Sequence, residues 1–484
     1  MKYQSLNNYI DGQLIDDGEK RIDVLSPLDG SVLSNVPMSG TTALNKAVVS
    51  AQKAFQNWSN ITIKERAQIF FRYKSLLEKN INELAELIHE ENGKTISESI
   101  AEIEKSIEVT EFACSLEQLA AGEVMEVSRG VECRVERFPI GVVACITPFN
   151  FPNMVPNWTI PNALVLGNCV ILKPSELVPI SANRIALLLK EAGLPDGVFN
   201  IVHGAKEIVE AICDHPGIEA VSFVGSTKVA KIVYQRSTSN LKRALTLGGA
   251  KNHLIVLPDA NIGMTASNVA ASMSGCAGQR CMAASAMVAV GQVDKIIDQL
   301  VEEAKKIIPG KNLGAVISKQ AKERIENYIT EAERDGAKIL LDGRNCLVEG
   351  KENGFYVGPT VIDFVKPEMR IAKEEVFGPV LSIIRTSNVD DALSIQNSSV
   401  YGNAASVFTQ NGGMAKYISE KANAGMIGVN IGVPVPREPF SFGGWNESKF
   451  GTCDITGKSS IEFWTKLKKT TVKWNPESQI NWMS

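Results

Sequence analysis

AVSFVGSTKVAKIVYQ, residues 220–235, decides the fold class. Its first five residues read as a buried strand, Gly225 and Ser226 interrupt the run, and a helical spacing of apolar residues follows without a linker. A strand feeding directly into a helix is the repeating step of an α/β protein. The same step aims a helix amino terminus at the strand's end, a geometry suited to a phosphate.

The step recurs on either side. VECRVERFPIGVVACITPFN (131–150), VLGNCVILKPSE (165–176) and GVFNIVHG (197–204) are strand-like runs, each followed by a helical one. A second series follows Gly249, with HLIVLPDA (253–260), SAMVAVG (285–291), KILLDG (338–343) and GPVLSIIRT (378–386). Alternation of this kind predicts parallel sheets covered on both faces. The chain of 484 residues is too long for one ordinary core, so two α/β domains meeting near residue 250 are expected. Residues from about 41 to 115 carry the three- and four-residue apolar spacing of core helices. TTVKW (470–474) is a β-like run outside both series, suited to an arm that joins a neighbouring subunit's sheet.

Composition narrows the function classes. A formal charge of -4 with 44% hydrophobic and 21% charged residues is that of an average soluble protein and calls for neither nucleic acid nor a membrane. MKYQSLNNYIDGQL, at the amino terminus, has no apolar targeting core, and no apolar run reaches about 18 residues, so a cytosolic location is expected. Nine widely spread cysteines argue against a disulfide framework. The four histidines, at 89, 203, 215 and 253, lack metal-ligand spacing, and no metal site is expected.

The usual dinucleotide fingerprint GxGxxG is absent. At a strand end, however, LKPSE places Lys173 and Glu176, a cation and an acid that suit the two hydroxyls of a ribose; singly, each is also an ordinary solvated loop residue. GCAGQRCMAAS (275–285) sets Cys276 and Cys281 among small residues, and a thiolate of lowered pKa is a strong nucleophile.

PFNFP (148–152), LKPSE (172–176), FVGS (223–226), LGGAKNH (247–253), GQRC (278–281) and EEVFGPV (374–380) follow one another in that order. In order and spacing they resemble the aldehyde dehydrogenase superfamily, and the resemblance runs from YIDGQL near the start to FGGWNESKFG near the end. LGGAKNH and ITPFNFPNMVPNW are similar to its coenzyme A-acylating methylmalonate-semialdehyde dehydrogenase group. The resemblance implies a dinucleotide-binding domain over 1–128 and 141–248 and a catalytic domain over 249–450. It also implies an oligomerisation arm over 129–140 and 451–484, in a homodimer or homotetramer. NAD is the implied cofactor, coenzyme A the implied cosubstrate, and a small semialdehyde the implied substrate.

The resemblance also implies roles for residues. Cys281 matches the nucleophile, while Cys276 stands where a small core residue would do. Asn150 matches the donor to the alkoxide, acting with the Cys281 backbone N–H. Phe149, Lys173, Glu176, Gly225 and Ser226 fall on cofactor-binding positions, the Lys–Glu pair at the adenosine ribose and Ser226 by the pyrophosphate. Glu375 matches the nicotinamide-ribose ligand, with Phe377 packed beside it. An acid at 176 repels a 2′-phosphate and favours NAD over NADP. Arg280 and Lys105 match the pair that grips a substrate carboxylate, with lysine where that group has arginine. Lys105 otherwise reads as a helix residue paired with Glu102 or Glu108.

Thr246 stands where hydrolytic relatives carry the glutamate that activates water. A thioester without that base is expected to leave by the thiol of coenzyme A. The implied activity is oxidation of methylmalonate or malonate semialdehyde to propionyl-CoA or acetyl-CoA with loss of CO2. The alternatives are a hydrolytic aldehyde dehydrogenase releasing a free acid and a catalytically silent protein of the same fold.

Overall fold

The computed structural model describes residues 1–17 and 20–474. Its first sheet has a parallel core whose spatial order is Phe199–Ile201, Cys169–Lys173, Val142–Ile146, Ala220–Val224, Arg243–Leu247. The chain enters at Val142–Ile146, winds outward through Cys169–Lys173 to Phe199–Ile201, then crosses to the other side for the last two strands. The winding therefore reverses between Val142–Ile146 and Ala220–Val224, and reversal opens a crevice at the carboxyl ends of those strands. Phe149 and Asn150 follow one of them, Gly225 and Ser226 the other. All residues of Val142–Ile146 and Cys169–Lys173 are buried, as expected of parallel strands covered on both faces.

The second sheet has the order Lys338–Leu341, Thr360–Asp363, Val380–Thr386, Ala284–Val290, Asn252–Val256, Ala404–Phe408, Met426–Val429. It is parallel except at one edge, where Lys338–Leu341 runs antiparallel to Thr360–Asp363. KILLDG, read with the parallel series, is that antiparallel edge strand.

The run at 131–150 is two strands in different sheets. Val142–Ile146 is central to the first sheet, whereas Val131–Pro139 pairs with Glu123–Ser128 and Thr465–Lys473 in a three-stranded antiparallel sheet. That excursion begins at Glu123, ahead of residue 129, and TTVK (470–473) pairs within its own chain. Lys449–Phe450 returns to the first sheet, antiparallel to Thr246 and Leu247, and helix Gly457–Trp464 buries Ile461, Phe463 and Trp464 in the first sheet's core. Of the stretch 451–484 expected in the arm, residues 475–484 lie outside the described residues.

Four helices, Thr41–Trp58, Ile63–Lys79, Ile81–Asn92 and Ile96–Cys114, pack Leu44, Phe70, Tyr73, Leu84 and Ile103 into the same core. Thr62 with Glu65, and Thr95 with Glu98, form reciprocal capping boxes that start two of them, each worth about 1 kcal/mol. Among the described residues no helix is long and apolar enough to cross a membrane.

Candidate active site

Helix Ile262–Ser274 runs into a short turn, Gly275–Gly278, before the chain reaches strand Ala284–Val290. Within that turn Cys276 (φ 53°) and Ala277 (φ 52°) are left-handed, which costs side-chain-bearing residues roughly 1–2 kcal/mol apiece. Gly278 follows at φ 71°, where a Cβ would lie 2.0 Å from the carbonyl oxygen of Gly378. Only glycine lets the turn approach the 375–380 segment this closely.

The strained turn is tied through Cys276 and through the residues that follow it. The Cys276 N–H donates to Glu98 Oε1 at 2.5 Å, and Arg280 Nε donates to Cys276 Sγ at 3.2 Å. Gln279 donates from Nε2 to the carbonyls of Cys276 and Ala315 and accepts at Oε1 from the Ile317 N–H. The Cys281 carbonyl accepts from Asn252 Nδ2 at 2.7 Å and Asn403 Nδ2 at 2.9 Å.

Cys281, Arg280, Asn252, Glu375 and Phe377 border one cavity. Burial pushes the Cys281 thiol up to about 12, with the Glu375 carboxylate adding to the rise, so the resting thiol is protonated at neutral pH. Burial also raises Glu375, to about 7, although its carboxylate accepts the Ala250 N–H at 3.0 Å. A carboxyl near pH 7 can hold or release a proton under working conditions. Asn150 is buried and donates from Nδ2 to the carbonyl of Gln279, two residues before Cys281, at 2.9 Å. An amide nitrogen carries two hydrogens, so one pins the side chain while the other can serve an oxygen bonded to the Cys281 adduct.

Phe149 and Phe377 meet edge to face, with ring centroids 5.9 Å apart and planes at 85°. At the end of the strand neighbouring Val142–Ile146, Lys173 Nζ lies 2.9 Å from Glu176 Oε2. Burial alone would raise the Glu176 carboxyl, but Lys173 offsets this and holds it below the usual range. Ser226 is the residue before helix Thr227–Ser239; its backbone is extended and its side chain makes no capping bond. A Cβ on Gly225 would meet the Phe223 ring at 2.5 Å. An amino terminus without a side-chain cap, at the carboxyl end of a strand beside the winding reversal, suits the diphosphate of a dinucleotide.

Two expected positions have other partners. Lys105 Nζ is held by Glu438 at 2.7 Å and Glu108 at 3.1 Å and does not border the Cys281 cavity. Of its two expected helical neighbours, Glu108 pairs with it, whereas Glu102 pairs with Lys94. Thr246 is buried, and its hydroxyl donates to the carbonyl of Ala230 at 3.1 Å.

The family model of the aldehyde dehydrogenases matches residues 14–470. The chain belongs to the aldehyde dehydrogenase family. This aldehyde dehydrogenase is 43% identical over 481 residues to malonate-semialdehyde dehydrogenase 1 of Geobacillus thermodenitrificans, covering 97% of this chain and 99% of that protein. It is 42% identical over 477 residues to the mitochondrial acylating methylmalonate-semialdehyde/malonate-semialdehyde dehydrogenase of Rattus norvegicus, covering 97% and 89%. Among solved structures, methylmalonate-semialdehyde dehydrogenase of Oceanimonas doudoroffii superposes with a TM-score of 0.96 at 41% identity, covering 98% of this chain and 99% of that one.

In this aldehyde dehydrogenase, sequence reasoning missed Glu98, Gln279 and Asn403 as supports of the turn around Cys276 and Cys281. Asn252 lay within the quoted LGGAKNH, but nothing in the motif indicated that its amide would fasten the Cys281 carbonyl. Asn403, 122 residues downstream, carried no local signal at all.

Proposed function

We propose that this aldehyde dehydrogenase oxidises malonate or methylmalonate semialdehyde and passes the acyl group from Cys281 to coenzyme A, giving acetyl-CoA or propionyl-CoA with loss of CO2. The family membership and the names of the full-length relatives support the reaction class. The observation that carries transfer rather than hydrolysis is Thr246, whose hydroxyl is buried and committed to a backbone carbonyl. No base stands at that position to activate water.

In this reading the Cys281 sulfur bonds to the aldehyde carbon while its proton passes to Glu375, the carboxyl that shares its cavity. The carbonyl electrons move to oxygen, and the alkoxide is met by the second hydrogen of the Asn150 amide and the Cys281 backbone N–H. A lost donor of this kind costs about 2.7–4 kcal/mol of transition-state stabilisation. Bound NAD supplies the hydride acceptor that converts the adduct to a thioester. Lys173 and Glu176 hold its adenosine ribose, Gly225 and Ser226 face its diphosphate, and Glu375, Phe377 and Phe149 position the nicotinamide end. Arg280, at the cavity, receives the substrate carboxylate; Lys105 acts one step away, by holding Glu438. The bond between the α-carbon and the substrate carboxylate then breaks, CO2 leaves, and the α-carbon, stabilised beside the thioester carbonyl, takes a proton from water. The coenzyme A thiolate attacks the acyl carbon, the bond to Cys281 breaks, and the cysteine recovers its proton.

The test is NADH formation with and without coenzyme A. Without it, a burst of about one NADH per site followed by a slow rate is expected, and coenzyme A should restore turnover. Cys281→Ala should abolish the burst, and Cys276→Ala should keep most of it. A second reading has an observation of its own: Glu375, a carboxyl near pH 7 in the cavity, is a possible base for water. Fast free-acid formation without coenzyme A, abolished by Glu375→Gln, would favour that hydrolytic reading.

We also infer a homodimer or homotetramer joined through the three-stranded sheet. Its two outer strands, Glu123–Ser128 and Thr465–Lys473, each present an edge with no partner strand among the described residues, and Val124, Met125, Val127 and Leu467 are exposed there. Unpaired, apolar edges of this length call for a covering partner. None of the nine cysteines forms a disulfide, which suits the reducing cytosol. The two large sheets are read as the dinucleotide-binding and catalytic units.

A further inference from the structure

Helix Ile96–Cys114 reaches the Cys276 turn, the loop of Asn150 and Glu438 through one face. Glu98, Glu102 and Lys105, spaced four and three residues apart, reach the Cys276 N–H, the segment after PFNFP, and Glu438 respectively. Glu102 is the buried member. Its Oε1 accepts the backbone N–H groups of Asn153 at 2.8 Å and Met154 at 3.0 Å, the start of helix Met154–Val165. Its Oε2 pairs with Lys94, and both side chains are sealed from solvent. The Lys94 ammonium also lies 3.7 Å from the centre of the Phe151 ring, and Asn92 Nδ2 donates to the Phe149 carbonyl at 2.8 Å. Residues 149, 151, 153 and 154 are thus each anchored, and Asn150 lies between the anchors.

We infer that the buried Lys94–Glu102 pair, with Asn92, is a positioning device that sets the Asn150 amide against the oxygen of the Cys281 adduct; this rests on the role proposed for Asn150. A buried pair is a costly way to gain stability alone, because both ions must be desolvated. Here the carboxylate's second oxygen fastens a helix amino terminus, so the charge is spent on fixing a loop. Glu102→Gln keeps an oxygen for the two N–H groups but turns an amide donor toward the Lys94 ammonium, and the loop should shift.

The test is the pre-steady-state NADH burst rate in a double-mutant cycle on the intact enzyme. Glu102→Gln should slow the burst about 10- to 100-fold, the cost of a misplaced catalytic group, while the Kd for NAD changes less than about twofold. In the Asn150→Ala background the same substitution should change the burst less than about twofold, because the group it positions is gone. Should Glu102→Gln fail to fold, Asn92→Ala removes only the Phe149 anchor and should show a smaller loss with the same non-additivity. Equal losses in both backgrounds, or a parallel loss of NAD affinity, would overturn the positioning role and leave the reading of Asn150 standing. An undiminished burst in Asn150→Ala itself would overturn both.

Discussion

The turn at Gly225–Ser226 and the turn at Gly275–Cys281 carry the residues proposed to face the diphosphate and to attack the aldehyde, and they are built in opposite ways. The first leaves its strand in extended backbone and enters helix Thr227–Ser239 without a side-chain cap. The second is left-handed over three consecutive residues and engages Glu98, Gln279, Asn252 and Asn403. A turn that binds a diphosphate works by leaving donors available. A turn that presents a nucleophile must hold one sulfur in place against a reacting carbon, and its strain persists only because the surrounding contacts over-determine it.

That contrast is most easily broken at Gly278. Gly278→Ala places a methyl 2.0 Å from a backbone oxygen at φ 71° and should cost more than about 3 kcal/mol, read as a lowered denaturation midpoint with loss of the burst. An alanine tolerated there within about 0.5 kcal/mol would mean that the turn is not over-determined.

The electrostatics sharpen it next. Glu375, raised to about 7 by burial, accepts hydrogen bonds more strongly when ionised, and in the proposed role its donors are ribose hydroxyls. NAD affinity should therefore hold above pH 7 and fall by up to about tenfold per unit below it, and Glu375→Gln should flatten the profile. The folding consequence has the opposite direction. The folded carboxyl keeps its proton to about 7, while the unfolded one loses it near 4.5, so this group's contribution to stability declines as pH rises across that window. Chemical denaturation of wild type and Glu375→Gln at pH 5 and pH 8 reads that difference directly.

The smallest effect belongs to the open turn. Ser226→Ala removes no capping bond and should change stability by less than about 0.5 kcal/mol, while weakening NAD binding a few-fold by calorimetry. A stability loss there comparable to that of Gly278→Ala would erase the distinction between the two turns.

Local sequence carried much of this. The α/β class was legible in AVSFVGSTKVAKIVYQ because strand, Gly-Ser and helix are written in short-range spacing. The pairing of Lys173 with Glu176 was legible in the one short motif LKPSE at a strand end, whereas the contact of Phe149 with Phe377 joins two distant motifs and came only from the tertiary structure. Lys105 shows the limit. Its neighbour Glu108 was foreseeable from helical spacing, but Glu438, 333 residues away, was not. A long charged side chain takes the partner that packing brings, and nothing in the local helix states which one that will be.

The amino-acid order by itself determined the succession of strands and helices, the small residues that permit the turn at Gly275–Gly278, and which chemical groups are present, since propensity and spacing act over a few residues. Only the tertiary structure decided that the left-handed strain falls on Cys276 and Ala277 as well as on glycine. It alone brought Asn252 and Asn403 to the Cys281 carbonyl, returned Lys449–Phe450 to the first sheet, and buried Lys94 against Glu102 behind the loop of Asn150. Each of those choices joins segments distant in the chain, where the energy comes from excluding water around paired groups, and that term exists only once the whole core has closed.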